Sequence, residues 1–159
     1  MQTFLPERSF EFSARRLDNK RLGKQRVECL QILKALRGET KGWRNHPATL
    51  MWYGYENCLM YYMDTMIREW GGRGFKNTIP LNYEWTAEFP AGYPMFRNRV
   101  IWAPPWYTER LIESHRSNLL RKDPKFYGQF KWDVPADLPY YWPVTKEEVE
   151  MKRVLELCP

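Results

Sequence analysis

Hydrophobic residues recur at helical spacing in the first quarter of the chain. The stripe they form ends near Arg37, with Gly38 in the position that commonly terminates a helix. Ser13 or Asp18 can supply the N-cap, because either side chain can accept from a free backbone N–H. The pattern therefore predicts a first helix that begins after one of these caps. Its inward stripe consists of Leu22, Cys29, Leu30, Leu33 and Leu36.

A second helical pattern covers residues 48–70. Pro47 suits the first helical position, and the glycine-rich GGRG stretch at 71–74 breaks the chain. We expect this to be the most buried helix. Its core positions are Leu50, Met51, Cys58, Leu59, Tyr62, Met66 and Ile67.

Helical spacing returns after the Pro104-Pro105 pair, over residues 108–122. Thr145 and Glu148 then match a capping box, which predicts a short helix through Leu157. The core positions of the helix at 108–122 are Leu111, Ile112, Leu119 and Leu120.

The intervening segments are rich in proline, glycine and aromatic residues. Residues 75–106 predict an irregular connection with one short helix near Glu84 to Glu88, and residues 123–144 predict an aromatic loop. The fold class is therefore all-α, a compact single domain of three principal helices with a long irregular aromatic connection and a short C-terminal helix. We divide it into a helical body, residues 1–132, and an acidic extension, residues 133–159, that packs on the body.

Charge changes this picture, because it is unevenly distributed. The net charge is +6, yet residues 15–44 alone hold ten basic and three acidic residues, or +7. Residues 133–159 hold six acidic and three basic residues, or −3. A concentrated basic segment favours a polyanionic partner, of which double-stranded DNA is one.

The cysteines and the N-terminus bear on the cellular compartment. Cys29 and Cys58 fall in apolar helical patterns and Cys158 is left over, so we expect reduced thiols and a cytoplasmic protein. Neither a signal peptide nor a run of transmembrane length is present. Two histidines and the absence of a Cys/His cluster predict no metal, and no motif indicates a cofactor. We expect a monomer without a membrane partner.

The first helix carries an acid within a basic strip. Helical spacing places Arg21, Lys24, Gln25 and Glu28 on one polar face, with Arg26 nearby. One interpretation is a solvated surface with a Lys24–Glu28 pair contributing about 0.3 kcal/mol. The other is a phosphate-binding surface whose cations keep Glu28 charged and ready to stabilise a positive intermediate. The residues alone leave both open.

Two further clusters fit nucleic acid. In WRNHP, residues 43–47, Asn45 or His46 can cap the next helix, and Trp43, Arg44 and His46 can lie at a nucleic-acid groove. Neither interpretation excludes the other. In residues 114–130, polar donors alternate with rings, which fits phosphate contacts as well as ordinary packing. The candidates there are His115, Arg116, Ser117, Asn118, Arg121, Lys122, Lys125 and Tyr127.

Three blocks in series resemble the pyrimidine-dimer DNA glycosylase family. They are LDNKRLGKQRVECLQILKAL, GWRNHPATLMWYGYENCL and SHRSNLLRKDPKFY, and the resemblance covers roughly residues 1–130. The resemblance implies a compact all-α enzyme that binds duplex DNA, flips a base and excises a damaged pyrimidine. It assigns the essential acid to Glu28 and phosphate contacts to Arg21, Lys24 and Arg26. It implies neither a metal nor a cofactor.

The resemblance also implies an N-terminal α-amine that attacks the sugar C1′, forms a Schiff base and nicks the strand by β-elimination. The pKa of an α-amine is about 8, so an appreciable fraction is nucleophilic near neutral pH. In the family a threonine follows the removed methionine, whereas here Gln2 follows Met1 and its large side chain disfavours that removal. The nucleophile is then Met1, Thr3 after trimming, or Gln2, which cyclisation would inactivate.

Other functions stay open at this point. If the amine is lost, Glu28 could still activate water in a monofunctional glycosylase acting on a different modified base. A non-catalytic nucleic-acid-binding module explains the basic and aromatic residues but gives Glu28 no task. A helical interaction protein with merely solvating charges is the third alternative.

Overall fold

The computed structural model describes residues 1–82 and 104–157. Within them the chain forms seven α-helices and one 3₁₀ helix, without a strand, which confirms the all-α prediction. The short helix predicted near Glu84 to Glu88 and the thiol of Cys158 lie outside the described residues. The helices are α1 Phe10–Arg16, α2 Asn19–Leu36, α3 Pro47–Leu50, α4 Glu56–Gly72, α5 Glu109–Lys122, α6 Pro124–Tyr127 and α7 Lys146–Leu157, with the 3₁₀ helix at Gly128–Phe130.

Helix α2 begins and ends at the residues that the sequence offers. Asp18 is its N-cap and accepts from the Arg21 N–H at 3.0 Å, while Gly38 follows the helix with φ +75°. Ser13, the other candidate cap, is buried inside α1 instead. Because α1 has only seven residues, its two turns leave too short a pattern to detect.

Asp18 also binds the guanidinium of Arg21 and the hydroxyl of Tyr127. Burial alone would raise the pKa of Asp18, but the hydrogen bonds from Tyr127 and Arg21 lower it. We expect Asp18→Ala to lower the free energy of unfolding by about 1–2 kcal/mol, because the cap and both partners are lost. Asp18→Asn keeps the cap and should cost less. Urea denaturation measures both, and equal stabilities of the two variants would contradict this account.

The second predicted helix is interrupted. Instead of one helix over 48–70, α3 ends at Leu50 and α4 begins at Glu56, with Gly54 between them at φ +79°. The apolar spacing hid the break because the residues on both sides of it are buried. Trp52 lies in this interruption. It is fully buried and donates to the hydroxyl of Thr3.

The core lies mainly between α2 and α4, and α1 packs on α4. Every predicted core position of the second helix is buried, as are three of the four in α5. Cys29 and Cys58 are free buried thiols, as expected, and burial raises the pKa of both, that of Cys58 to about 12. Thiols with such pKa values stay protonated near neutral pH.

The chain after α5 packs back onto it. The predicted loop at 123–144 contains the short helix α6 and the 3₁₀ helix, and Ser114 and Ser117 of α5 bond the backbone of residues 138–141. The predicted capping box forms. The Thr145 N–H donates to the Glu148 carboxylate at 2.7 Å, and the Glu148 N–H donates to the Thr145 hydroxyl at 3.2 Å. Helix α7 contacts α3. The division at residue 132 stays a prediction.

Two absences hold for the described residues. No helix there combines the length and the apolar character needed to cross a membrane. Likewise, the described part of the chain brings together no group of three histidine, cysteine or carboxylate side chains suited to a metal.

Candidate active site

The N-terminal segment, residues 1–6, lies in the core. Met1 is half-buried and residues 2–6 are buried. Because the segment joins no helix or strand, its backbone groups need other partners. Each N–H from Gln2 to Leu5 donates to a side chain, and Pro6 has none to satisfy. The start of the chain is therefore a fixed part of the structure.

Glu28 of α2 faces this segment. Only 9% of the residue is exposed, and its Oε2 accepts from the Gln2 N–H and from Gln25 Nε2, both at 3.3 Å. Lys24 Nζ lies 3.9 Å from Oε1, and the side chain of Lys24 is 71% exposed. The predicted Lys24–Glu28 pair thus forms, but its acid points inward, towards the first residues of the chain.

Gln25 joins the helix to the segment. Its Oε1 accepts from the Phe4 N–H and from the Tyr62 hydroxyl, both at 2.9 Å, while its Nε2 donates to the Gln2 carbonyl at 3.0 Å. A fully buried amide with every group bonded fixes the register of the segment against α2. Gln25 therefore sets the distance between Glu28 and the backbone of Gln2.

Three further side chains, from other parts of the chain, bond the N-terminal segment. Trp52 donates to the Thr3 hydroxyl at 3.0 Å, Tyr62 donates to the Phe4 carbonyl at 2.7 Å, and His115 accepts from the Leu5 N–H at 2.9 Å. The hydrogen bonds of Trp52 and Tyr62 to the first residues of the chain were not predicted from the sequence. A signal existed, since a Tyr or Trp at a core position needs a partner for its polar group.

His46 is partly exposed and lies near the start of the chain. It caps α3 by accepting from the Ala48 N–H at Nδ1, at 3.1 Å. Burial lowers the pKa of His46, and the nearby N-terminal ammonium lowers it further. The start of the chain thus lies within electrostatic reach of His46 while its second residue contacts Glu28.

The chain after α6 supplies a further wall. Tyr140 and Trp142 stack at 5.6 Å, and Trp142 meets the ring of His46 edge-on at 5.9 Å. Burial raises the pKa of Tyr140, Arg121 and Arg21 lower it, and Glu28 raises it, so its hydroxyl senses the charges of the site. These rings belong to the predicted aromatic loop at 123–144, but their place at the site was not predicted.

Among the residues expected to contact DNA, six have exposed side chains, but the guanidinium of one of them, Arg121, already donates to the Ala136 and Leu138 carbonyls and to Asn118. Four others are partly exposed. The exposed residues are Lys24, Arg44, Asn45, Arg121, Lys122 and Lys125, and the partly exposed ones are Arg21, Arg26, His46 and Arg116.

Some of the partly exposed cations are already engaged. Arg21 binds Asp18 at 2.6 Å, and Arg26 donates to Asn77 at 2.6 Å beneath the Trp70 ring. Arg116 donates to the Pro6 carbonyl at 2.6 Å and pairs with Glu7 at 3.0 Å. A guanidinium held this way stabilises the fold and has fewer N–H groups free to bind a phosphate.

Five expected DNA contacts are corrected by burial, because an enclosed side chain leaves no atom for a phosphate. Gln25 and His115 hold the N-terminal segment, and Tyr127 binds Asp18. The hydroxyl of Ser117 accepts from the Leu138 N–H, and Asn118 bonds the Ser114 carbonyl. The buried residues are Gln25, His115, Ser117, Asn118 and Tyr127.

His115 makes folding sensitive to acid. Its Nε2 is buried and has no partner among the described residues, and burial lowers its pKa to about 3 from 6.5. Below pH 6.5 the unfolded chain therefore binds a proton that the folded chain does not. The contribution of neutral His115 to the free energy of unfolding is fully present above pH 6.5. It falls by up to about 1.4 kcal/mol per pH unit as the pH is lowered from 6.5 to about 3.

We expect His115→Asn to remove this component, because Asn can still accept from Leu5 but does not titrate. Urea denaturation of both proteins from about pH 7 to about pH 5 measures it. The stability advantage of the wild type should shrink as the pH falls. Parallel pH profiles would contradict the assignment.

Gln2 leaves one polar group free at the site. Its Oε1 accepts from the Thr3 N–H at 2.9 Å, whereas its Nε2 is buried without a partner among the described residues. A buried donor beside Glu28 is costly unless something accepts from it. The site therefore offers one acid and one unused donor at the start of the chain.

Fold and site together define a class: an all-α protein whose chain start is held against a buried carboxylate beneath a basic and aromatic rim. A family model described as pyrimidine dimer DNA glycosylase matches residues 1–83, just over half of the 159 residues. The chain belongs to this family and is a DNA-repair glycosylase. No curated protein and no solved structure matches it. The third resembling block lies beyond the matched residues.

Proposed function

We propose that this protein excises a pyrimidine dimer or a related damaged base from double-stranded DNA and then nicks the strand as an AP lyase. The observation that carries the proposal is the 3.3 Å contact between the backbone nitrogen of Gln2 and Glu28 Oε2. A carboxylate this close to the start of the chain fits a reaction in which the terminal amine is the nucleophile.

The amine we favour is that of Met1, because the large side chain of Gln2 disfavours removal of the methionine. The alternatives differ in how they would fit. If Met1 is removed, the nitrogen that contacts Glu28 becomes the primary amine of Gln2. Thr3 is a weaker candidate, because its N–H and hydroxyl are both bonded in the core and trimming would remove the buried Gln2.

The chemical steps balance without a metal or a cofactor. The neutral amine attacks C1′ of the damaged nucleotide and the C1′–N bond breaks. The electron pair goes to the base, which takes a proton; in a dimer this base stays joined to the neighbouring pyrimidine. The sugar ring opens to an iminium ion. Loss of a C2′ proton then breaks the C3′–O bond, and water releases the amine.

Glu28 would act on the positive species. An anionic carboxylate at this position stabilises the oxocarbenium and iminium ions and can carry protons between steps. Its burial supports the role, because charge interactions strengthen as water is excluded. The hydrogen bonds from Gln2 and Gln25 keep it aimed at the amine.

DNA would bind across the rim of the site. Lys24 reaches solvent one turn from Glu28, and Arg44 lies in the loop before His46. Arg121, Lys122 and Lys125 extend the basic surface on the side of α5 and α6. We expect a DNA affinity that falls steeply with salt, as counterion release requires.

Borohydride trapping tests the proposal. Intact-mass spectrometry of the purified protein first identifies its terminal residue. The protein is then incubated with borohydride and a duplex that bears a pyrimidine dimer. A covalent adduct whose linkage maps to the first residue supports the amine mechanism. Alkali-labile abasic sites without an adduct would indicate a monofunctional glycosylase. The absence of both the adduct and abasic sites would overturn the proposal.

A further inference from the structure

The loop between α2 and α3 presents a tryptophan to solvent. Trp43 is 52% exposed, whereas most large rings of the described residues lie in the core or against it. Its backbone has φ +65°, a left-handed conformation that bulky residues rarely adopt. The glycine beside it, Gly42, is not the residue that takes this conformation. A large apolar ring left in water on a strained backbone points to a use for the ring.

Trp43 lies at the outer end of a row of rings. Its edge contacts His46 at 5.3 Å, His46 meets Trp142 at 5.9 Å, and Trp142 stacks on Tyr140 at 5.6 Å. The row ends beside the residues that hold the start of the chain, because the Tyr141 N–H donates to Ser114 at 2.8 Å and the next residue, His115, accepts from the Leu5 N–H at 2.9 Å. Trp43 therefore stands beside the candidate active site, with much of its surface open.

The loop around Trp43 is basic. Lys41 and Arg44 are exposed on either side of the ring, and the acid of the loop, Glu39, lies 4.0 Å from Arg37. An open ring between cations matches a nucleotide, whose base has a flat apolar face and whose phosphates are anionic.

We propose that Trp43 stacks on a nucleobase of the duplex at the edge of the lesion and fills space left by the displaced nucleotide. This inference rests on the proposed function, because it needs DNA at the rim of the site. The role is positioning: Trp43 stabilises the opened duplex and takes no part in bond breaking. Stacking of a base on an aromatic side chain strengthens binding at damaged positions more than at intact ones, where the bases already stack on each other.

Equilibrium binding tests this with two duplexes, one intact and one with a tetrahydrofuran abasic analogue, which cannot form a Schiff base. Trp43→Ala should lower the preference for the abasic duplex about tenfold and leave intact-duplex affinity and its salt slope unchanged. Trp43→Phe should keep most of the preference. Arg44→Ala should weaken both duplexes and reduce the salt slope by about one.

Two variants separate the role from folding. Trp43→Gly relieves the backbone strain, so it should be at least as stable as Trp43→Ala and lose the preference equally. Phe12→Ala removes a ring that is 56% exposed on α1 and should change neither affinity. An unchanged preference in both Trp43→Ala and Trp43→Gly would overturn the inference. That failure is distinct from failure of the proposed function, which is judged by trapping and base release.

Discussion

Glu28→Gln should release the damaged base about 10³-fold more slowly than the wild type, because a neutral amide can neither stabilise a cation nor move a proton. DNA affinity should stay the same or rise, since the change removes a negative charge near phosphates. The substitution keeps the shape of the side chain and an oxygen that can accept from the Gln2 N–H. Single-turnover cleavage of the glycosidic bond, scored as alkali-labile abasic sites because the cut base of a dimer stays joined to its neighbour, and equilibrium binding measure the two effects on the same dimer duplex.

The matched control is Glu39→Gln, which removes an exposed acid on the same basic stretch. It should release the base at the wild-type rate. Glu28→Gln with wild-type base release would sink the assigned role of the acid. A joint loss of binding and base release would instead indicate that Glu28 holds the N-terminal segment in place, and unfolding experiments on the variant would detect this.

Adding three residues before Met1 should abolish the trapped adduct. An extension of this length moves the terminal amine by up to about 10 Å, and a misplacement of even 1 Å can cost about 10²-fold in rate. Residues 2–6 are buried and held by side chains from three helices and the turn after α3, so the extension cannot be absorbed by a shift of the segment. Borohydride trapping on an abasic duplex gives the readout.

The control uses a cleavable extension. Protease treatment that leaves Met1 at the terminus should restore the adduct, and the extended protein should still bind the duplex with its steep salt dependence. An adduct of unchanged yield in the extended protein would place the nucleophile elsewhere, for example on a lysine. Lys24, whose Nζ lies 3.9 Å from Glu28, would be the first alternative to test.

Much of the fold follows from local sequence. The caps at Asp18 and Thr145, the helix-ending Gly38 and the apolar spacing of α2 and α5 act within a few residues of one another. Such short-range effects can be predicted from a window of sequence. The break before α4 was not predicted, because the buried residues on both sides continue the helical spacing.

The block at residues 114–127 illustrates the opposite case. Its sequence alternates donors and rings, which fits a DNA surface, but in the fold His115 and Arg116 hold Leu5 and Pro6 from across the chain. A polar side chain in a sequence carries no sign of whether water, DNA or a distant backbone group will be its partner. Burial decides this, and burial here depends on segments about 110 residues apart.

By itself the sequence determined the all-α class, the main helices, the basic segment and the helix face that carries Glu28. Only the tertiary structure decided that this face turns inward at Gln25 and Glu28 and that the first residues of the chain lie against it. The physical reason is that the apolar stripe of α2 is specified locally. Gln25, one turn away on the same helix, is a local partner of the buried carboxylate. The backbone N–H of Gln2 is 26 residues away and reaches the carboxylate only once the chain has folded.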